Sequence, residues 1–125
     1  MSAASFVVPP AYYTPDEALA LLSHASAALS SRYHFTVQSV LAGVTPVTLA
    51  RSAKMTGLLD ELGLSPVATL EHVEDGAVAR ALERALDAGP GERGRLASVR
   101  DRLAARAAHN LDLWSDYLPG APRAV

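Results

Sequence analysis

Apolar positions along the chain fall into short uninterrupted runs that alternate with stretches of three- and four-residue spacing, the pattern of strands alternating with helices. Ala27, Ala28 and Leu29 make a run with no helical period that ends in Ser30 and Ser31, a buried strand stopping at a sheet edge. After the polar corner Arg32-Tyr33-His34, the residues Phe35, Val37, Val40, Leu41 and Val44 recur at helical spacing, and Gly43 closes that helix. Val47 to Leu49 predicts the next strand. Ser52 then caps a helix over 53–62 with Met55, Leu58, Leu59 and Leu62 as its apolar face and Gly63 as its stop. Upstream, Thr14-Pro15-Asp16-Glu17 is a capping box with proline at the first helical position. It opens a helix whose inward stripe is Ala18, Leu19, Leu22 and Ala25, with His24 near its end, and Ser5 to Val8 predicts a short strand broken by Pro9-Pro10.

Downstream, the pattern predicts a short edge strand over 67–70 and a helix over 75–87 with Val78, Leu82, Ala85 and Leu86 inward. Gly91 to Gly94 reads as a flexible joint. A last helix from about Leu96 to Leu118 then carries Leu96, Val99, Leu103, Ala107, Leu111, Trp114 and Leu118 on one stripe, with Arg95, Arg100, Arg102 and Arg106 mostly off it. The expected fold class is α/β: a Rossmann-like parallel sheet with right-handed crossovers and flanking helices on both faces.

Composition narrows the partners. At 125 residues, half of them hydrophobic, the chain is expected to form a single α/β domain over 1–125 without the cysteines it lacks. A net charge of −2, with Asp101, Asp112 and Asp116 among the arginines of the last helix, argues against a nucleic-acid partner. No apolar run is long enough for a transmembrane segment and Met1 to Val8 lacks the layout of a secretory leader, so a cytoplasmic location is expected. Glycine-rich nucleotide fingerprints and zinc motifs are missing, and His24, His34, His72 and His109 are scattered, so neither metal nor cofactor is expected.

Candidate chemistry sits at the first corner. In a parallel sheet, ligands bind beyond the carboxyl ends of the strands, where a starting helix offers unpaired N–H groups to an anion. Ser31, Arg32 and His34 stand there. Lys54 lies in the first turn of its helix, against the dipole; it either meets an anion or is simply exposed. Arg32 likewise either grips a ligand or pairs with Asp16 or Glu17, with His34 capping its helix, and Tyr33 reads as a packing residue.

Ser30-Ser31-Arg32-Tyr33-His34, then Leu41-Ala42-Gly43-Val44-Thr45-Pro46-Val47, then Lys54 with Gly57-Leu58-Leu59-Asp60-Glu61-Leu62-Gly63-Leu64 resemble, in order and spacing, the C-terminal part of the polysaccharide pyruvyl transferase family. There an S-x-R-x-H-G corner, a helix ending in A-G-V-P-V, and a lysine before a helix ending in E-L-G-L are consecutive. The resemblance covers Thr14 to Leu64, and the later helices follow it only in layout. Phe35 stands where the family has glycine, and Thr45 is inserted between Val44 and Pro46.

The resemblance implies the C-terminal lobe of a glycosyltransferase B-type (GT-B-like) fold, with the N-terminal lobe missing. It further implies transfer of a pyruvyl group from phosphoenolpyruvate onto hydroxyls of a glycan acceptor as a ketal, a step of polysaccharide biosynthesis. Arg32 and His34 are then the catalytic residues: Arg32 grips the donor's carboxylate or phosphate, and His34 is a general acid toward the enol carbon or the departing phosphate. Ser31 completes the anion cradle and Lys54 balances phosphate charge. The acceptor-activating base is expected from an N-terminal lobe supplied in trans, without which the chain is not expected to act. Two alternatives stand beside this: a sugar-nucleotide glycosyltransferase lobe, and a noncatalytic interaction module that docks on a partner, or self-associates, through its C-terminal helix.

Overall fold

The computed structural model describes residues 7–69, 71–118 and 120. Its elements follow as α1 (Pro15–Leu22), β1 (Ala27–Ser30), α2 (Tyr33–Leu41), β2 (Thr45–Ala50), α3 (Ala53–Leu62), β3 (Ala68–Thr69), α4 (Ala77–Leu86) and α5 (Pro90–Tyr117). The strands pair in parallel in the order β1-β2-β3, with Ala27 opposite Thr45 and Leu49 opposite Ala68. The predicted α/β class is thus a three-stranded parallel sheet flanked by helices. Of the N-terminal strand expected over Ser5 to Val8, Ser5 and Phe6 lie outside the described residues, and Val7 and Val8 are exposed coil. Leu70, the end of the expected edge strand, is also outside them.

Side chains alternate along a strand, and β2 divides the core accordingly. Val47 packs with Ala81 and Ala85 of α4. On the opposite face, Ala50 packs with Met55 and Leu59 of α3, and the hydroxyl of Thr48 meets that of Thr36 on α2 at 3.4 Å. Helices therefore cover both faces of β2, which is why its sequence is apolar without strict alternation. Pro46 is tolerated in this central strand because β3 pairs only with Leu49 and Ala50, so the missing N–H removes no bond there.

The caps obey the sequence. The Thr14 amide donates to Glu17 Oε2 at 2.8 Å and the Glu17 amide to Thr14 Oγ1 at 3.2 Å, with Pro15 in the first turn. α3 runs over the predicted residues, with Met55, Leu59 and Leu62 buried and Gly63 left-handed at φ +66°.

Four expectations are corrected. The buried face of α2 is Thr36, Ser39 and Val40, whereas Phe35 and Leu41 are exposed. The two hydroxyls can be buried because each donates to a carbonyl of its own helix, Thr36 to Arg32 at 3.1 Å and Ser39 to Phe35 at 2.8 Å. Leu86 and Ala25 face outward: Leu86 is the last residue of its helix, and α1 has already ended before Ala25. The joint at Gly91 to Gly94 is helical from Pro90 on. Each helical glycine costs about 1 kcal/mol, offset here by Pro90 in the first turn and by Arg95. The Arg95 guanidinium donates to Glu92 Oε2 at 3.0 Å and Oε1 at 2.7 Å, and at 2.7 Å to the Leu62 carbonyl that ends α3. Finally, the α5 stripe is inward only over its first half: Leu96 is buried and Val99 and Leu103 half-buried, while Leu111, Trp114 and Leu118 are exposed. Arg106, which bonds Glu61 of α3 at 3.1 Å, stands between the two halves. Among the described residues no helix is long and apolar enough to cross a membrane.

Candidate functional site

Because all three strands run the same way, the β1–α2 and β2–α3 corners open on the same carboxyl edge of the sheet. In the first corner, Ser30 Oγ accepts the Arg32 amide at 2.8 Å and donates to the Arg32 carbonyl at 3.3 Å, which fixes the turn out of β1. Arg32 is the N-cap of α2, extended at φ −105° and ψ 130°, and its side chain makes no capping bond. Ser31 is half-buried; Arg32 and His34 are exposed, with His34 already in the first helical turn. Among the described residues the Arg32 guanidinium makes no ion pair or hydrogen bond. The alternative pairing with Asp16 or Glu17 is not formed, since the Glu17 carboxylate serves the Thr14 amide instead.

In the second corner, Ser52 caps α3 by accepting the Met55 amide at 3.4 Å. Lys54 Nζ lies 4.3 Å above the ring of Tyr33, an attraction of the ammonium for the ring's electron-rich face. His34 meets the same ring edge-on, with centroids 5.5 Å apart. Tyr33 itself is half-buried against the Ala50, Met55 and Leu59 cluster, so it packs as expected and also joins the two corners. Lys54 and His34 are brought to one ring, and Ser31 and Arg32 precede it in the chain. No hydrogen bond joins Arg32 to His34.

One strand over, an open cavity of about 300 Å³ is lined by Ala50, Arg51, Ser52, Thr56, Thr69 and Glu71. The sequence reading singled out only Ser52 here, as a cap. The available signal was the arginine itself, placed directly between an apolar strand and a helix cap. Among the described residues no group of three potential metal ligands gathers.

Comparison with protein-family models, curated proteins and solved structures finds no match. The chemistry of this edge therefore follows from its own side chains. An exposed guanidinium at an uncapped helix start can take a carboxylate or phosphate by paired N–H donors, the first amides of α2 add partial positive charge, and imidazole is the side chain that exchanges protons near neutral pH.

Proposed function

We propose that the chain is the C-terminal, donor-binding lobe of a polysaccharide pyruvyl transferase of GT-B-like fold, holding phosphoenolpyruvate at the carboxyl edge of its sheet. One observation carries the reading: Arg32 is exposed, without an ion pair among the described residues, at the start of a helix that no side chain caps. Phosphoenolpyruvate presents both a carboxylate and a phosphate, and charge-assisted bonds to either contribute about 1.5–3 kcal/mol each. Ser31 and the α2 amides complete the cradle, and Lys54, held on Tyr33, supplies further positive charge. Phe35, in place of the family's glycine, is 37% exposed, so part of its added bulk points to solvent.

In the transfer, one glycan hydroxyl adds to C2 of the donor while C3 takes a proton from the His34 imidazolium. A second hydroxyl then displaces phosphate from C2 and closes the ketal. The first hydroxyl's proton goes to a base on an N-terminal lobe and the second leaves with phosphate. The cavity with Arg51 and Glu71 favours a second reading, a sugar-nucleotide lobe, in which arginine meets a phosphate and the carboxylate meets ribose hydroxyls.

Thermal unfolding separates them. Millimolar phosphoenolpyruvate is expected to raise Tm by mass action, and Arg32→Ala to abolish the rise. A rise with a nucleoside diphosphate, but none with phosphoenolpyruvate, would replace the first reading by the second.

A further inference from the structure

Ala50 and Thr69, paired across β2 and β3, are the last residues of their strands. Beyond them, on the carboxyl edge where parallel sheets take their ligands, lies the cavity of about 300 Å³ that Arg51, Ser52, Thr56 and Glu71 complete. The guanidinium of Arg51 and the carboxylate of Glu71 line the same space and are both exposed, yet no ion pair joins them among the described residues. The hydroxyls are committed in complementary senses. Ser52 Oγ accepts the Met55 amide at 3.4 Å and keeps its own hydrogen to give, whereas Thr56 Oγ1 donates to the Ser52 carbonyl at 3.3 Å and keeps lone pairs to accept. Thr69 adds a third hydroxyl.

The second reading gives this cavity to a nucleotide, but its charge and size favour a different guest. A diphosphate drawn to Arg51 would meet the like charge of Glu71 in the same space, so the opposed pair suits an uncharged ligand. A volume of about 300 Å³ stands at the lower limit of small-molecule sites, which suits a sugar ring and is short for a whole sugar nucleotide. We infer that the cavity seats a neutral sugar ring of the acceptor glycan. Sugar hydroxyls donate and accept at once: neighbouring hydroxyls give protons to Glu71 and Thr56 and take them from Arg51 and Ser52, with charge-assisted bonds at the two ionised groups. Ala50 ties this cavity to the first corner, because Tyr33 packs on the cluster that contains it. Neighbouring strands lie about 4.8 Å apart, so the ends of β1 and β3 are separated by about 10 Å. A glycan with one ring in the cavity brings its next ring toward Arg32. The use of the ring as part of an acceptor rests on the proposed transfer; the binding of a sugar does not.

The isotope-labelled chain, titrated with neutral methyl hexosides and hexose disaccharides at tens of millimolar and followed amide by amide, tests the inference. Arg51, Ser52, Thr56, Thr69 and Glu71 are expected to shift along one saturating curve. Arg51→Ala and Glu71→Ala are each expected to weaken binding about tenfold, one charge-assisted bond apiece, with unchanged circular dichroism because both side chains are exposed. Arg32→Ala is expected to leave sugar binding as it is. Absence of shifts at these amides with every sugar overturns the inference, as does a stronger response there to uridine diphosphate or inorganic phosphate, or sugar binding that survives both cavity substitutions. Phosphoenolpyruvate is titrated separately: a sugar response without a donor response at Arg32 to Phe35 upholds the sugar site and removes the transfer, and a donor response alone does the reverse.

Discussion

After β1 the chain turns through Ser31-Arg32 into α2, and after β2 it turns through Arg51-Ser52 into α3. The two corners hold the same pair of residue types in opposite order, and the order decides their use. In the second, serine falls at the N-cap and its hydroxyl is spent on the helix. In the first, arginine falls there and the helix start goes uncapped, whereas the guanidinium is exposed in both corners. Met55 and Tyr33 show the same division: α3 anchors its corner by burying Met55 completely, whereas α2 sends Tyr33 across to hold Lys54. A corner built for stability is side-chain capped and apolar underneath. The first corner, the proposed ligand site, gives up the cap.

Breaking the stable corner is the largest effect. Met55→Ala is expected to cost about 2–5 kcal/mol, read by urea denaturation, because its side chain is fully buried between α3 and β2; a loss below 1 kcal/mol would remove the contrast. Thr36→Val comes next at about 1 kcal/mol, since it deletes the hydroxyl bonds from α2 to the Arg32 carbonyl and to Thr48. Arg32→Ser sharpens the comparison most. It imitates the second corner and is expected to stabilise the fold by about 0.5–1 kcal/mol while abolishing the response to phosphoenolpyruvate.

The smallest effect lies away from both corners. The Arg95 guanidinium beside Glu92 holds that carboxyl below its usual range through their hydrogen bonds. A carboxylate whose pKa is lowered on folding contributes stability that is present above its unfolded pKa and disappears as pH falls through the folded one. Glu92→Gln is therefore expected to flatten the acid side of the stability profile by less than about 1 kcal/mol, since the pair is partly exposed to solvent.

Much of the fold was legible because its signals are local. The Thr14 capping box, the α3 stripe and the Gly63 stop need only neighbouring residues, and the structure forms them where the pattern puts them. What was not legible depends on distant partners. Gly91 to Gly94 become helical through a bond from Arg95 to the end of α3, and a Cβ at Gly63 would stand 2.7 Å from that same guanidinium. Thr36 and Ser39 look solvent-facing until their hydroxyls are seen to be satisfied within the helix. The outer half of the α5 stripe has the period of a core, yet Leu111, Trp114 and Leu118 are exposed among the described residues. At the site, the corner and its arginine were readable from chain order, whereas the Lys54 contact with Tyr33 joins two corners and has no local signature.

Titration of the isotope-labelled chain with phosphoenolpyruvate, followed amide by amide in solution, tests the central claim most directly. The amides from Arg32 to Phe35, together with Lys54, should shift along one saturating curve that Arg32→Ala erases. Shifts confined to Arg51, Ser52 and Thr69, or none up to millimolar ligand, would contradict a donor site at the first corner.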